Sequence, residues 1–295
     1  MGISGSNYIK EGDIPGHVKQ TNLEAIKILA KQMEESVCKI YGSKLNGTGF
    51  FCAIQNMKEW NPQSLYVLMT NNHVLGEKDI KPHKKIKISL NNENKKLEIT
   101  IDYSRKKFTS QKYDVTIVEI RQNDGIESNS FMQIDQDIYK DDFIEIFKKK
   151  SIYLLHYPKG KEICKSEEII RNIGVDNYTI EHFCDSTNGS SGGPLINLKN
   201  NKVLGIHKGF NGDINLGTIL REPIEKFYEI INNNIHINNN NMSKDKGQKL
   251  NKNNNNASEK INNNKELNEI DEINIQYKIN NVEKIQLFGY KFVKK

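Results

Sequence analysis

The sequence predicts an all-β fold of the antiparallel barrel or sandwich class, with a helix ahead of the strands and another behind them. Three observations carry this. Short apolar segments recur at close intervals between Val37 and Ile219. Several of them alternate apolar with polar residues, the two-residue period of a half-buried strand. Few helical patterns lie between them.

In chain order, residues 7–20 hold Gly12, Pro15 and Gly16 and read as an irregular lead-in. Thr21-x-x-Glu24 forms a capping box, and Ile26, Leu29, Ala30 and Met33 recur at helical spacing, so a helix is predicted from Thr21 to about Ser36. Strands are predicted at Val37–Tyr41, at Gly47-Thr48-Gly49 running into Phe50–Ile54, and at Ser64–Thr70. Lys85–Leu90, Leu97–Ile101 and Asp114–Ile120 follow. Later strands are predicted at Ser151–His156, Glu167–Gly174, Asn177–His182, Pro194–Asn197, Lys202–His207 and Gly217–Ile219, and a last helix at Glu222–Asn232.

The strand-rich stretch is thus one domain over residues 37–232, its first half ending near 130 and its second running from about 140 to 220, behind a leader and helix at 1–36. Residues 233–266 collapse into asparagine and lysine. Such a composition cannot bury enough apolar surface to offset the entropy of ordering, so a disordered linker is expected. Residues 267–295 regain alternation (Ile273, Ile275, Tyr277, Ile279) and read as a small β-rich segment that would dock on the domain or on a protein partner.

Bulk composition excludes some classes. The 295-residue chain is 36% hydrophobic with a mean hydropathy of −0.68, low for a single compact domain, which agrees with a polar tail. Its formal charge of +6 rests largely on lysines scattered among asparagines, so specific nucleic-acid reading is not expected. Cys38, Cys52, Cys164 and Cys184 contain no CxxC pair and are too few for a secreted disulfide scaffold of this size. With no apolar run near ~18 residues and no signal-peptide core, the expectation is free thiols in a reducing, cytoplasmic setting. Met1-Gly2-Ile3-Ser4-Gly5-Ser6 fits the myristoylation pattern, with Gly2 as the acceptor; the alternative is an accidental match in a flexible leader. One myristoyl chain would hold the protein only weakly and reversibly at a membrane.

The strongest chemical signal is Gly189-Ser190-Ser191-Gly192-Gly193-Pro194. A serine that attacks an acyl carbon must expose its Oγ on a turn whose backbone N–H groups face the developing oxyanion, and glycines at 189 and 192 permit such a turn. His73 follows a buried strand at Thr70-Asn71-Asn72-His73-Val74 and can act as the base of Ser191. Asp114 opens an apolar strand and suits the acid that holds a histidine tautomer; taken singly it is more often a strand-start cap.

The order His73, Asp114, Ser191 and the motifs around them resemble a trypsin-like serine peptidase of the chymotrypsin fold, in its compact glutamyl-endopeptidase and HtrA-like branch. Gly47-Thr48-Gly49-Phe50 is similar to the G-[ST]-G-F strand that opens the first barrel of that family. Thr70–Val74 is similar to its T-x-x-H-V, Asp114-Val115 to its D-[VIL], Gly189–Pro194 to its G-x-S-G-[GS]-P, and Gly205-Ile206-His207-Lys208-Gly209 to the G-I-H-x-G strand beside its specificity pocket. The resemblance covers about two thirds of the chain. It implies two six-stranded antiparallel Greek-key barrels with the site in the cleft between them, a His73–Asp114–Ser191 triad, and an oxyanion hole from the N–H groups of Gly189 and Ser191. It further implies a protein or peptide substrate paired along residues 206–209, and no metal or organic cofactor. The competing reading is a peptide-binding or scaffold module on a protease fold.

The departures from the family are informative. Ser190 stands where digestive relatives place an aspartate that receives the new N-terminus, so no zymogen switch of that kind is expected. Val74 stands where the partner of a first-barrel disulfide to Cys52 would be. Specificity stays open: Asp185, six residues before Ser191, is spaced like the pocket aspartate of trypsin, whereas His207 sits where glutamyl endopeptidases and viral 3C-like relatives bind P1 Glu or Gln.

Overall fold

The computed structural model describes residues 22–56 and 64–233. The capping residue predicted at Thr21, the lead-in and candidate lipidation residue Gly2, the linker and the tail segment at 267–295 lie outside these. Within the described chain, Asn22 is the N-cap of helix α1 (Leu23–Lys31), its Oδ1 accepting the Ala25 N–H at 2.9 Å. One π-helical turn, Gln32–Ser36, then leads into the first strand. Gln32 docks this turn on the second half of the molecule: the Tyr153 hydroxyl donates to Gln32 Oε1 (2.7 Å), and Gln32 Nε2 donates to Asn201 O (3.0 Å).

The first sheet comprises β1 (Val37–Tyr41), β2 (Asn46–Ile54), β3 (Leu65–Thr70), β4 (Lys85–Leu90), β5 (Lys95–Thr100), β6 (Lys107–Ser110), β7 (Val115–Glu119) and the two-residue β8 (Met132–Gln133). They run in the order β5-β4-β1-β2-β3-β7-β6, with β8 added in parallel on β2. The count exceeds the six expected because Lys107–Ser110 is too polar and β8 too short to register as strands in sequence. β2 is buried at every position after Asn46, as a strand covered on both faces must be.

After a short helix α2 (Phe143–Phe147), the second barrel forms from β9 (Ser151–His156), β10 (Cys164–Ile173), β11 (Thr179–His182), β12 (Pro194–Asn197), β13 (Val203–Phe210) and β14 (Asn215–Ile219). These six strands close on themselves in the order β10-β11-β14-β13-β12-β9, as expected. The order is antiparallel and non-sequential, a Greek key. Residues 221–233 are helical and cover one side through Ile224, Phe227 and Ile231. One apolar core runs through both halves, joining Phe50, Cys52 and Val67 of the first sheet to Leu154, Leu195 and Ile206 of the barrel; a second core, with Phe51, Leu68 and Ile86, lies wholly within the first sheet. Each such large apolar side chain contributes about 1.5–3 kcal/mol by leaving water.

Candidate active site

His73 and Asp114 lie at the same end of one antiparallel pair of strands, His73 just after β3 and Asp114 just before β7. β3 ends at Thr70, and Asn71–Leu75 turn tightly, the N–H groups of Val74 and Leu75 both bonding Asn71 O. On the neighbouring strand, Asp114 precedes β7 with φ of +52°, a left-handed conformation that is rare outside glycine and asparagine. Asn71 Nδ2 fastens it by donating to Asp114 O at 2.8 Å. The Asp114 carboxylate then takes two donors from one residue: His73 N–H at 3.0 Å on Oδ1, and His73 Nδ1 at 2.7 Å on Oδ2. An ionised carboxylate only accepts, so Nδ1 carries the proton and Nε2 is left with a lone pair.

Ser191 sits on a turn in which every nearby carbonyl is occupied. Thr187 O takes Ser190 N–H (2.9 Å), Asn188 O takes Lys159 N–H (2.6 Å) and Ser190 O takes Gly193 N–H (3.0 Å). Gly189 O takes the Thr48 hydroxyl (2.7 Å) and Ser191 O takes Thr48 N–H (2.8 Å). Among the described residues, no acceptor takes the N–H of Gly189 or of Ser191. The two glycines are required by space as well as by φ: at Gly189 (φ +93°) a Cβ would lie 2.5 Å from Tyr157 O, and at Gly192 (φ +89°) 2.0 Å from Thr48 O. The Ser191 hydroxyl is turned to Lys208 O at 3.3 Å and forms no hydrogen bond with His73.

Strand β13 is tied directly to this turn. Gly192 N–H donates to His207 O (2.9 Å) and His207 N–H to Gly193 O (2.8 Å). The ladder with β14 slips between His207 and Gly209, a bulge that sets Lys208 off the regular pairing. The His207 ring is buried, its Nδ1 3.2 Å from Nε2 of buried His182. Burial, reinforced by the neighbouring His182, His156 and His73, holds His207 well below the usual imidazole pKa, so it is neutral. Burial likewise lowers the Lys208 ammonium, with Asp176 and Asp114 pulling it back up.

Asp185 lies on the segment that leads into the Ser191 turn. It is exposed, and it shares an open cavity of about 470 Å³ with His156, Phe183, Ser186 and Thr187. Its charge acts on His156 and is not among the groups acting on His207.

Three residues of the site carried no readable signal in sequence. Thr48 was visible only as part of Gly47-Thr48-Gly49, yet it grips the Ser191 turn by both N–H and hydroxyl. His156 and His182 looked like strand histidines; their roles depend on pairings across 34 and 25 residues. The four cysteines are free, and Cys38, Cys52 and Cys184 are buried with their thiols pushed up by desolvation, which leaves them unreactive.

The family model of the trypsin-like peptidase domain matches residues 47–206, more than half of the chain. No curated protein matches. Among solved structures, the serine endoprotease from Yersinia pestis is similar at 15% identity with a TM-score of 0.46, over 68% of this chain. This chain spans 66% of that structure, just under two thirds. The inactive Ser343Ala form of Rv3671c from M. tuberculosis H37Rv is 21% identical over 69% of this chain and 89% of its own, TM-score 0.44. An HtrA-type protease, AlgW with tripeptide, is 16% identical over 70% of this chain and 63% of its own, TM-score 0.49.

Proposed function

Since the chain belongs to the trypsin-like peptidase domain family, we propose that it is a serine endopeptidase in which Ser191 attacks the scissile carbonyl, His73 is its general base and Asp114 orients His73. The observation that carries this reading is the Ser191 turn, where five consecutive carbonyls are held back by donors while no acceptor among the described residues takes the N–H groups of Gly189 and Ser191. Two such N–H groups supply an oxyanion hole, and losing one donor costs roughly 2.7–4 kcal/mol of transition-state stabilisation in other enzymes.

The steps follow from the hydrogen bonds. A substrate strand laid along β13 offers its P1 N–H to Lys208 O, the acceptor that Ser191 Oγ now uses. Displaced from it, the hydroxyl turns to His73 Nε2, whose lone pair is available because Nδ1–H is held by Asp114. As Oγ bonds to the carbonyl carbon, its proton passes to Nε2 and the carbonyl oxygen takes the N–H groups of Gly189 and Ser191. The imidazolium returns the proton to the leaving amine, giving an acyl-Ser191 ester. Water, deprotonated by His73, hydrolyses it and restores the serine. We assign P1 recognition to His207, with Gln or Glu as the residue read; Asp185 faces His156 and the open cavity instead. Residues 37–232 form the functional unit on this reading.

The test is labelling by a fluorophosphonate probe, followed by mass spectrometry of the labelled peptide. Wild type is expected to carry the label on Ser191 and Ser191→Ala to carry none. Equal labelling of the two, or none of either, would leave the domain a peptide-binding module.

A further inference from the structure

The residue immediately before the proposed nucleophile, Ser190, is fully buried and held from two sides. Thr187 N–H donates to its Oγ at 2.9 Å, and that oxygen lies 2.6 Å from Nδ1 of His156, the last residue of β9, itself buried. Ser190 N–H closes the same turn on Thr187 O at 2.9 Å, so Thr187 and Ser190 bond each other reciprocally, and the His156 side chain anchors Ser190 to the barrel wall. β9 is the strand between β10 and β12, paired on both sides, so His156 hangs from a rigid support.

The direction of the His156–Ser190 hydrogen bond follows from counting donors. Ser190 Oγ has one proton and already accepts from Thr187. If His156 Nδ1 donated to it, the hydroxyl proton would be buried with no acceptor. If Ser190 donates, its proton and both of its neighbours are satisfied. Nδ1 of His156 is therefore an acceptor, and its ring carries the proton on Nε2. Burial agrees with this, pushing the His156 pKa down to about 4 against a smaller opposing pull from Asp185, so the ring is neutral near pH 7.

We propose that His156 is a positioning residue for the reaction: by accepting the Ser190 hydroxyl it fixes the 187–190 turn, and so the orientation of the Gly189 and Ser191 N–H groups, without any new N-terminus or other ion-pair partner. The inference rests on the reading of Ser191 as nucleophile and adds to it how the oxyanion hole is kept formed. Rotating the Asn188–Gly189 peptide would aim a carbonyl where the N–H now points. That rotation must also break the short Lys159 N–H bond to Asn188 O, and the Ser190 anchor holds the other end of the same turn.

The experiment compares His156→Leu, His156→Gln, Ser190→Ala and the double variant His156→Leu/Ser190→Ala with wild type in peptide cleavage. Thermal unfolding and imidazole and amide ¹⁵N spectra are recorded on the same proteins. Loss of the anchor is expected to lower kcat by about 10²-fold, the effect of weakening one oxyanion donor, with KM changed less than about threefold. The double variant should be no worse than Ser190→Ala alone, because that change already removes the His156 bond together with the one from Thr187. His156→Gln, whose side-chain oxygen can accept the hydroxyl, should recover most of the rate, and wild-type His156 should show an unprotonated Nδ1. Folded His156→Leu and Ser190→Ala proteins with wild-type kcat would overturn the proposal. So would losses that multiply in the double variant, or a protonated Nδ1. The amide spectra separate the two readings: if wild type fails to label at Ser191 yet the Gly189 and Ser191 amides shift in His156→Leu, the anchor stands and the nucleophile assignment falls.

Discussion

The Thr48 hydroxyl donates to Gly189 O at 2.7 Å and at the same time accepts the Tyr157 N–H at 3.1 Å, so one side chain of the first sheet fixes two backbone groups of the second barrel. Its own N–H donates to Ser191 O, and its carbonyl accepts the Thr70 hydroxyl, which ties this junction to the strand that ends before His73. The glycines either side keep the approach open: a Cβ on Gly47 would lie 2.9 Å from Ser191 O, and one on Gly49 3.0 Å from Met69 O.

Thr48→Val keeps the shape of the side chain and removes the hydroxyl. It leaves the part-buried Gly189 carbonyl and the buried Tyr157 N–H without their Thr48 partner, at about 1–3 kcal/mol for each. Urea unfolding should therefore show a destabilisation of about 2–6 kcal/mol. kcat should fall more steeply than KM rises, since Gly189 loses its restraint. Thr48→Ser, which keeps the hydroxyl, should stay within about 1 kcal/mol of wild type. Equal stability of the Val and Ser variants would mean that the hydroxyl bonds contribute nothing.

Local patterns made the strands legible, and the Ser191 turn with them. Lys85–Leu90, Ser151–His156 and Pro194–Asn197 were predicted to the residue, because each has a clear period or an unbroken apolar run between polar breaks. β6 (Lys107–Ser110) was missed because it holds one large apolar residue, Phe108, and owes its conformation to pairing with β7. The same limit governs the site. His73, Asp114 and Ser191 each sit at an element boundary that sequence can mark, and the His73 ring lies 2.7 Å from the Asp114 carboxylate. The partners Thr48, His156 and His182 act through hydrogen bonds to residues 25 to 141 positions away, which no local period encodes.

The buried histidines make stability depend on pH in a defined window. His156 and His182 both have their pKa pushed down to about 4 by burial, from an ordinary value of 6.5, and burial holds His207 well below that ordinary value too. In the unfolded chain these rings take up protons as pH falls through 6.5; in the folded chain His156 and His182 do so only near 4. Between these values the unfolded state binds more protons, so stability is full above about pH 7 and declines as pH falls toward 4. Each of the two is linked to a loss on the order of 3 kcal/mol over the whole window. Urea midpoints recorded from pH 7.5 down to 5, above the carboxylate range, should decline steadily in wild type and less steeply in His182→Gln. Parallel slopes for the two proteins would show that His182 is not protected from protonation.

On the proposed assignment of P1 recognition to His207, specificity turns on which of its nitrogens bears the proton. Nδ1 of His182 is sealed from solvent with no partner among the described residues, while its Nε2 lies 3.2 Å from His207 Nδ1. A buried N–H without an acceptor is rarer and costlier than a spare lone pair, so His182 carries its proton on Nε2 and donates it to His207. His207 is then protonated on Nε2, a nitrogen with no partner among the described residues, and presents a neutral donor. A neutral donor suits an uncharged acceptor, and a carboxylate held by it is left without a countercharge. In a peptide library at pH 7.5, cleavage is expected after Gln ahead of Glu, with both well ahead of Lys and Arg. His207→Leu should reduce kcat/KM for Gln substrates by roughly 10–100-fold, the cost of a lost hydrogen bond to a buried polar group, and flatten the P1 profile. Asp185→Asn should leave the profile unchanged, since its carboxylate acts on His156 rather than His207. A wild-type preference for Lys or Arg that Asp185→Asn abolishes would reverse the assignment and make the exposed carboxylate the specificity determinant.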